Sequence, residues 1–588
     1  MKTLRSILKW IALAAPVIVL GYGSPETEPV SAQQPPAEEG QQVLTRGPIH
    51  EAFAEPVNFN PKAGFVAVKE PPAAIEEVPP DQKPDGENVA WMPGYWTWED
   101  DKGEFIWVSG FWRTLPPHRQ WVSGYWAKSD NGFQWTSGYW ASVQTKQVEY
   151  LPAPPQSVEA GPSTSAPSVD HIWVPGSWTW YNLHYVWRPG YWIVVQPEWV
   201  WMPAHYVWSP CGYVFVDGYW DHAVRSRGVL FAPCYFSVAY YSRPAFYYSP
   251  AIVIDAEIVT DHFFCRPVYC HYYFGDYYAP TYATVGILPW FQITYSRGYY
   301  CPLYTYERWY YRSDPHWEVN IQLNFNHRVE FADQRPPRTY IAQQTVINNI
   351  TVNKTVNNNT TINNVTVNKL AMAKPLSQVA ASANQNQNSA MKFAKVDQAQ
   401  RQEITKQAKE AQQSRVERVR LETDPAIKAK SPLVAGANAK PLTMNMPKNT
   451  VAAKAATNTG GAAGGAGSKA VSSTPPPPPK PNNDPHPVHS QGTQSSKTGS
   501  DHSSSTGTTG TANNASKTGG TGSTGSTGNS SSSGTQTGQG STGTPGKPGT
   551  PPMPPMGGAK PPMPPPPGAS KPPPPKPQKD KDQHDKNH

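Results

Sequence analysis

Apolar and polar residues alternate along the middle of this chain in short runs, each run breaks at a turn residue, and the pattern returns. Centred on the breaks it reads WMPGYW from Trp91, WVSGFW from Trp107, WVSGYW from Trp121, WTSGYW from Trp135, WVPGSW from Trp173, WRPGYW from Trp187, WMPAHY from Trp201 and FVDGYW from Phe215. Starts are separated by 16, 14 and 14 residues in the first four copies and by 14 each time in the second four. Two residues before the leading Trp stands another aromatic in most copies, at Phe105, Phe133, Tyr185, Trp199 and Tyr213. Period-two spacing puts it on the same face of a strand. The pattern predicts a mainly β fold of repeated short hairpins, a meander or a stacked array, since one 14-residue copy is too short for a propeller blade of about 40 residues.

The two central residues of each copy read as a two-residue hairpin loop, with Gly94, Gly110, Gly124, Gly138, Gly176, Gly190 and Gly218 supplying positive φ. First and sixth positions of a copy then face each other: Trp91 and Trp96, Trp107 and Trp112, Trp121 and Trp126, Trp135 and Trp140, Trp173 and Trp178, Trp187 and Trp192, Phe215 and Trp220. Asp217-Gly218 is a type I′ signal, whereas Pro189-Gly190 suits type II and so a different loop. The seventh copy departs, with Ala204 for Gly and Tyr206 for the closing Trp. Further turn signals at Lys102-Gly103, Pro116-Pro117, Asn131-Gly132, Pro197 and Pro210-Cys211-Gly212 separate the copies.

The copies form two arrays, 89–140 and 171–221, joined by a Pro/Ser linker over 141–170 and preceded by a linker or disordered stretch over 33–88. Residues 222–340 are rich in Tyr and read as a β extension, with strands in AIVIDAEIVT at 251, ILPWFQITY at 287 and WEVNIQLNF at 317. Residues 341–370 hold INNITVNKT from Ile347 and INNVTVNKL from Ile362, which favour extended structure. Residues 391–423 are strong helix formers with a thin apolar stripe, read as one solvated C-terminal helix. From 425 to 588 the Pro, Gly, Ser, Thr and Lys tracts cannot bury enough apolar area to offset ordering entropy and read as a disordered tail.

Composition sharpens this division. Of 22 Trp, 18 lie between Trp91 and Trp220, and no aromatic residue except His follows Phe393, so core-forming capacity sits in the middle of the chain. The net charge of +7 is modest for 588 residues; the region from Pro425 carries 16 Lys against 5 Asp, scattered as in a solvated spacer. At the N-terminus, Lys2, Arg5 and Lys9 precede an apolar run from Trp10 to Leu20 and a small-residue site at Val30-Ser31-Ala32, the layout of a secretory signal over 1–32, either cleaved or kept as an anchor. The apolar run is short for a bilayer span. The reading is an exported protein in the periplasm, at the cell surface or outside the cell, with no transmembrane span after cleavage.

The aromatic and glycine positions over about 91–220 resemble the bacterial WxxGxW-type, or YXWGXW, repeat family of exported proteins. The resemblance implies an envelope location and repeat architecture, and carries no enzymatic mechanism to particular residues.

Chemistry-bearing motifs are few. No phosphate-cradling glycine loop, nucleophile elbow or His-Glu-x-x-His is present, and no catalytic residue, cofactor or metal is expected. Five cysteines in an exported chain permit disulfides, with Cys265 and Cys270 close enough in sequence to pair. His262 and His271 flank them, but a disulfide suits an exported protein better than a metal site. Too few arginines adjoin the aromatics for nucleic-acid binding. Two functions remain: a structural or adhesive role at the cell envelope in which the Trp pairs are the core, with other envelope proteins as partners or with self-association; and a carbohydrate-binding module in which Trp platforms stack on envelope glycans or peptidoglycan.

Overall fold

The computed structural model describes residues 40–293, 298–357, 370–435, 440–446 and 451–452. The signal segment, the second Asn/Val/Thr copy from Ile362 to Asn368 and the tail from 453 lie outside them.

Each pair of copies makes one long hairpin, not two short ones. In the first hairpin, strands Val89–Met92 and Tyr95–Glu99 form one arm, and Glu104–Val108 and Phe111–Thr114 the other. Val89 pairs with Thr114, Met92 with Phe111, Tyr95 with Val108 and Glu99 with Glu104, so one antiparallel register runs from end to end. The x-Gly dipeptides are therefore kinks within the arms, and the reversals fall between copies. The second hairpin spans Arg119 to Ser142, the third His171 to Val194 and the fourth Trp199 to His222, each with the same layout. Their turns lie at 130–131, 182–183 and 210–211, where Asn182 and Leu183, at φ 48° and 64°, adopt the left-handed pair of a two-residue loop.

This register corrects the pairing expected across each x-Gly. Trp91 faces Trp112, Trp96 faces Trp107, Trp121 faces Trp140, Trp126 faces Trp135, Trp173 faces Trp192, Trp178 faces Trp187, Trp201 faces Trp220 and Tyr206 faces Phe215. All eight ring pairs have centroids 5.0–5.4 Å apart; six are edge-to-face, the geometry that aromatic quadrupoles favour, while Trp121–Trp140 and Tyr206–Phe215 are tilted at 55° and 51°.

Short strands from outside the repeats cover the hairpin edges. Cys234–Phe236 pairs with Gln41–Val43 and meets Trp107; Gly228–Val229 lies along Phe111–Thr114; Val66–Ala67 lies along Gly132–Thr136. Gln147–Leu151 joins Gly212–Val216 to Leu442–Asn445. Parts of the stretches read as linkers are thus folded. Residues 40–88 bury Ile49, Phe53, Val57, Phe59, Phe65 and Ile75, and the start of the tail supplies a sheet strand, whereas residues 152–167 of the second linker carry no strand or helix and are mostly exposed. The short paired strands lack periodicity and give no hydropathy signal.

The extension after the repeats is more helical than alternation predicts. Trp317–Glu330 is a helix, as are Pro302–Tyr310, Tyr340–Asn357 and Leu376–Gln385. Trp317, Ile321 and Phe325 turn inward at every fourth residue, while Val319 and Leu323 are exposed. Those three satisfy both the period-two and the helical pattern, so the sequence alone is ambiguous there. Tyr340–Asn357 overturns the extended reading of the first Asn/Val/Thr copy. Of the other two strands, only Ile252–Ile254 and Leu288–Pro289 remain extended. Helix Gln398–Thr423 begins at an Asp397 capping box with Gln400, as a helix start should. It is packed, burying Ala408, Ala411, Arg418 and Glu422.

Two buried ionic joints tie distant parts together. Arg113 of the first hairpin donates from Nη2 to both carboxylate oxygens of Asp221 of the fourth at 2.6 Å, and Arg227 Nη1 lies 3.3 Å from Asp221. Burial lowers the Arg113 pKa to about 10; Asp221 is held below its usual range because the two guanidiniums outweigh its own burial. Arg418 and Glu422 form the second joint, beside the second hairpin.

Candidate functional site: the kinks of the tryptophan hairpins

A kink in a strand pair leaves backbone N–H and C=O groups without ladder partners, and buried groups of that kind must be satisfied elsewhere. In the first three hairpins carboxylates from the connecting segments satisfy several of the N–H groups. Glu77 accepts from Gly94 N–H at 3.0 Å, from Gly110 N–H at 2.9 Å and from Trp107 Nε1 at 3.1 Å. Glu51 accepts from Trp135 Nε1 at 2.6 Å and Gly138 N–H at 3.1 Å, with His271 Nε2 3.2 Å away. Glu159 accepts from Trp173 Nε1 at 3.2 Å and Gly176 N–H at 2.5 Å.

The carbonyl side of the kinks is served by donors. Arg418 Nη1 donates to Ser123 O at 2.9 Å and Ser137 O at 3.0 Å, and Arg119 Nη2 to Gly218 O at 3.1 Å. His50 Nε2 lies 3.2 Å from Pro93 O. Burial pushes the Glu77 carboxyl up to about 7 against the pull of its three donors. For Glu51, burial likewise opposes the charge, but the hydrogen bond and charge of His271, with Trp135 and Gly138, outweigh it and hold the carboxyl below its usual range.

The repeat glycines serve close approach rather than positive φ. None of the seven has φ in the left-handed region. A Cβ on Gly94, Gly110, Gly124, Gly138, Gly176, Gly190 or Gly218 would come within 2.8 Å of an indole carbon of Trp107, Trp91, Trp135, Trp121, Trp187, Trp173 or Trp201 respectively. The leading Trp of one copy thus lies flat over the kink glycine of its paired copy. In the fourth hairpin that rule sets Phe215, the only leading residue that is not Trp, against Ala204. The methyl is added where the ring is smaller, so the two departures are complementary.

None of the paired repeat tryptophans, nor Phe215, is exposed, whereas Tyr181 beside the turn of the third hairpin is. Trp91, Trp96, Trp107, Trp112, Trp121, Trp135, Trp140, Trp173, Trp201 and Trp220 are buried, and Trp126, Trp178, Trp187, Trp192 and Phe215 are half-buried. Indoles that reach the edge are hydrogen-bonded to extended Pro-rich segments: Trp96 Nε1 to Ala73 O, Trp112 Nε1 to Gln82 O, and Trp178 Nε1 to Gln156 O. On the third hairpin, whose residues are the most accessible, Tyr185 also donates to Pro152 O and Trp192 to Thr164 Oγ1.

Sequence reasoning missed the carboxylates. A signal was available: Glu77 and Glu159 each stand 17 residues before the glycine they hold, in Pro-bearing stretches that precede an array. Glu51, from the segment before the first array, and Arg418, nearly 300 residues beyond its kink, left none.

The five cysteines stand unbridged in the structure; Cys270 closes a turn with its sulfur 4.0 Å from Pro267 O, while the Cys265 side chain interacts with Cys301. Among the described residues, no group of three or more His, Cys, Asp and Glu side chains is arranged to hold a metal, so His262 and His271 do not join the cysteines. A separate cleft of about 680 Å³ opens between the 240–252 loop and helix Tyr340–Asn357, walled by Tyr240, Arg243, Phe246, Tyr247, Tyr340 and Gln344. Among the described residues no helix is long and apolar enough to cross a membrane.

Comparison with curated proteins and with solved structures finds no match. The family model of the WXXGXW repeat (2 copies) matches residues 87–113, 121–141, 169–192 and 197–221. Those four segments coincide with the four kinked hairpins, so each two-copy match is one folding unit. The chain carries the WXXGXW repeat, as four two-copy hairpins built around glycine kinks.

Proposed function

We propose that this is an exported, non-enzymatic structural protein of the cell envelope, with a load-carrying or adhesive role, in which the repeat hairpins form a rigid body and the Lys- and Pro-bearing tail a tether. The observation that supports this is the fate of the indoles: they lie against glycines, against each other or on carboxylates, and most are buried, with Trp126, Trp178, Trp187 and Trp192 half-buried. A flat row of free rings, which a sugar-stacking surface needs, is not what the repeats present. The N-terminal signal layout supports export.

The test is acrylamide quenching of Trp fluorescence on the full chain, with and without peptidoglycan fragments. Weak quenching that the fragments leave unchanged is expected. Strong quenching that a glycan protects would overturn the structural reading.

The aromatic cleft favours a second reading. Its Tyr and Phe walls with Arg243 and Gln344 suit a carbohydrate, placing glycan binding away from the repeats. Titration calorimetry with peptidoglycan fragments, comparing the intact chain with Tyr247→Ala, distinguishes this: heat lost in the variant supports the cleft, and no heat with either protein removes it.

A further inference from the structure

We propose that Cys265 and Cys301 form a disulfide, making this pair, rather than Cys265 and Cys270, the oxidation site of the chain. Cys265 lies on strand Phe263–Arg266 directly opposite Tyr272 of strand His271–Phe274. Residues opposite each other in an antiparallel pair project to the same side, and there the Tyr272 hydroxyl lies 3.0 Å from Cys301 Sγ. The Cys265 thiol is hydrogen-bonded to Cys301, so the two sulfurs are neighbours although 36 residues separate them in sequence. Cys265, Tyr272 and Cys301 are all at most 1 % exposed and lie in the central apolar cluster.

The pair is chemically differentiated. Cys301 precedes helix Pro302–Tyr310. Burial opposes its thiolate, but bonds from Cys265, Tyr272 and the backbone amides of Tyr304 and Leu303 outweigh that and hold it below the usual thiol range. Burial and the neighbouring Cys301 hold Cys265 well above that range.

With a small-molecule disulfide such as oxidised glutathione as oxidant, the thiolate of one cysteine of the pair attacks one of its sulfurs and expels a glutathione thiolate. The other cysteine then gives up its proton and attacks the protein sulfur of the mixed disulfide, expelling the second glutathione. Two protein S–H bonds become one S–S bond, and the oxidant's S–S bond becomes two S–H bonds. Pairing occurs during folding, before burial closes the site. An oxidising compartment outside the cytoplasm supplies such conditions.

The full chain, reduced and denatured, is refolded in a reduced/oxidised glutathione buffer, quenched in acid, denatured, alkylated and mapped by peptide mass spectrometry. The expected result is a Cys265 peptide joined to a Cys301 peptide, about 2 Da below the sum of the two reduced peptides, with Cys211, Cys234 and Cys270 alkylated. Five alkylated cysteines, or Cys265 joined to any other cysteine, overturn the proposal. Cys270→Ser should retain the cross-link and Cys301→Ser should lose it; loss of the cross-link in Cys270→Ser would likewise overturn the proposal, which keeps the test decisive should Cys301→Ser fail to fold. Failure of this pairing would leave the structural reading of the repeats standing, since that depends on indole quenching and not on sulfur chemistry.

Discussion

Gly190 shows what a single residue does in this repeat. Its missing side chain is the space in which the Trp173 indole lies, and the same holds at six further kinks. Gly190→Ala should therefore destabilise the chain by overpacking, by about 1–3 kcal/mol, read as a lower urea midpoint. The fourth hairpin offers a stricter test. Phe215→Trp sets a larger ring against Ala204 and should cost a comparable amount, while adding Ala204→Gly should recover most of it. A double-mutant cycle measures that coupling, and two effects that merely add would refute the ring-over-glycine rule. The sequence made the Trp and Gly positions legible, because regular spacing survives without knowing the fold. It left the purpose of the glycine illegible: a glycine required for positive φ and one required for close contact look alike in one dimension, and only the register between copies tells them apart.

At the scale of the element, each of the first three kinked hairpins is held at a kink by a carboxylate that it does not contain. Glu77 illustrates the consequence for pH. Its carboxyl is raised from an ordinary value near 4.5 to about 7, chiefly by burial, so the folded chain binds more protons than the unfolded chain between those values. Stability from Glu77 is thus fully present below about pH 4.5 and falls as pH rises through 7, by on the order of 3 kcal/mol in total. Other groups titrate in the same range, Glu307 also being raised to about 7 by burial, so the comparison must be differential. The stability of the unaltered chain minus that of Glu77→Gln, measured from urea midpoints across pH 5 to 8, should decrease with pH and level off. A difference independent of pH would show that Glu77 carries no such proton. Strand periodicity predicted the arms of these hairpins, and the turn signals at Lys102-Gly103, Asn131-Gly132 and Pro210-Cys211-Gly212 mark three of the four reversals; x-Gly misleads, since it is a turn signal in isolation and becomes a kink only when the strands on either side continue into longer arms. The same weakness of local pattern underlies Trp317–Glu330, where Trp317, Ile321 and Phe325 fit strand and helix equally.

Across the whole molecule, the pieces that hydropathy dismissed as linker and solvated helix are joined to the repeats by carboxylates and a buried arginine, and the start of the tail by a paired strand. Helix Gln398–Thr423 has few apolar residues to bury, and nothing in its sequence says that Arg418 is only 3 % and Glu422 only 1 % exposed. Arg418 grips both serine carbonyls of the second hairpin's kink, while Glu422 accepts from Tyr125 and Tyr150 at 2.8 and 2.9 Å. Breaking a buried pair by removing one partner leaves a charge with neither water nor counter-charge and costs about 3–5 kcal/mol. Arg418→Ala should therefore lower the urea midpoint substantially, and the Arg418→Ala/Glu422→Ala pair by less than the two single changes together, because the double variant leaves no orphaned charge. The corresponding truncations separate joint from tether. A chain ending at Ala452 keeps the helix and the Leu442–Asn445 strand and should unfold at the midpoint of the full chain, whereas one ending at Asp397 loses both and should unfold earlier. Equal midpoints for all three lengths would mean that the four hairpins stand without the helix, and the buried arginine would then be a passenger on a body already complete.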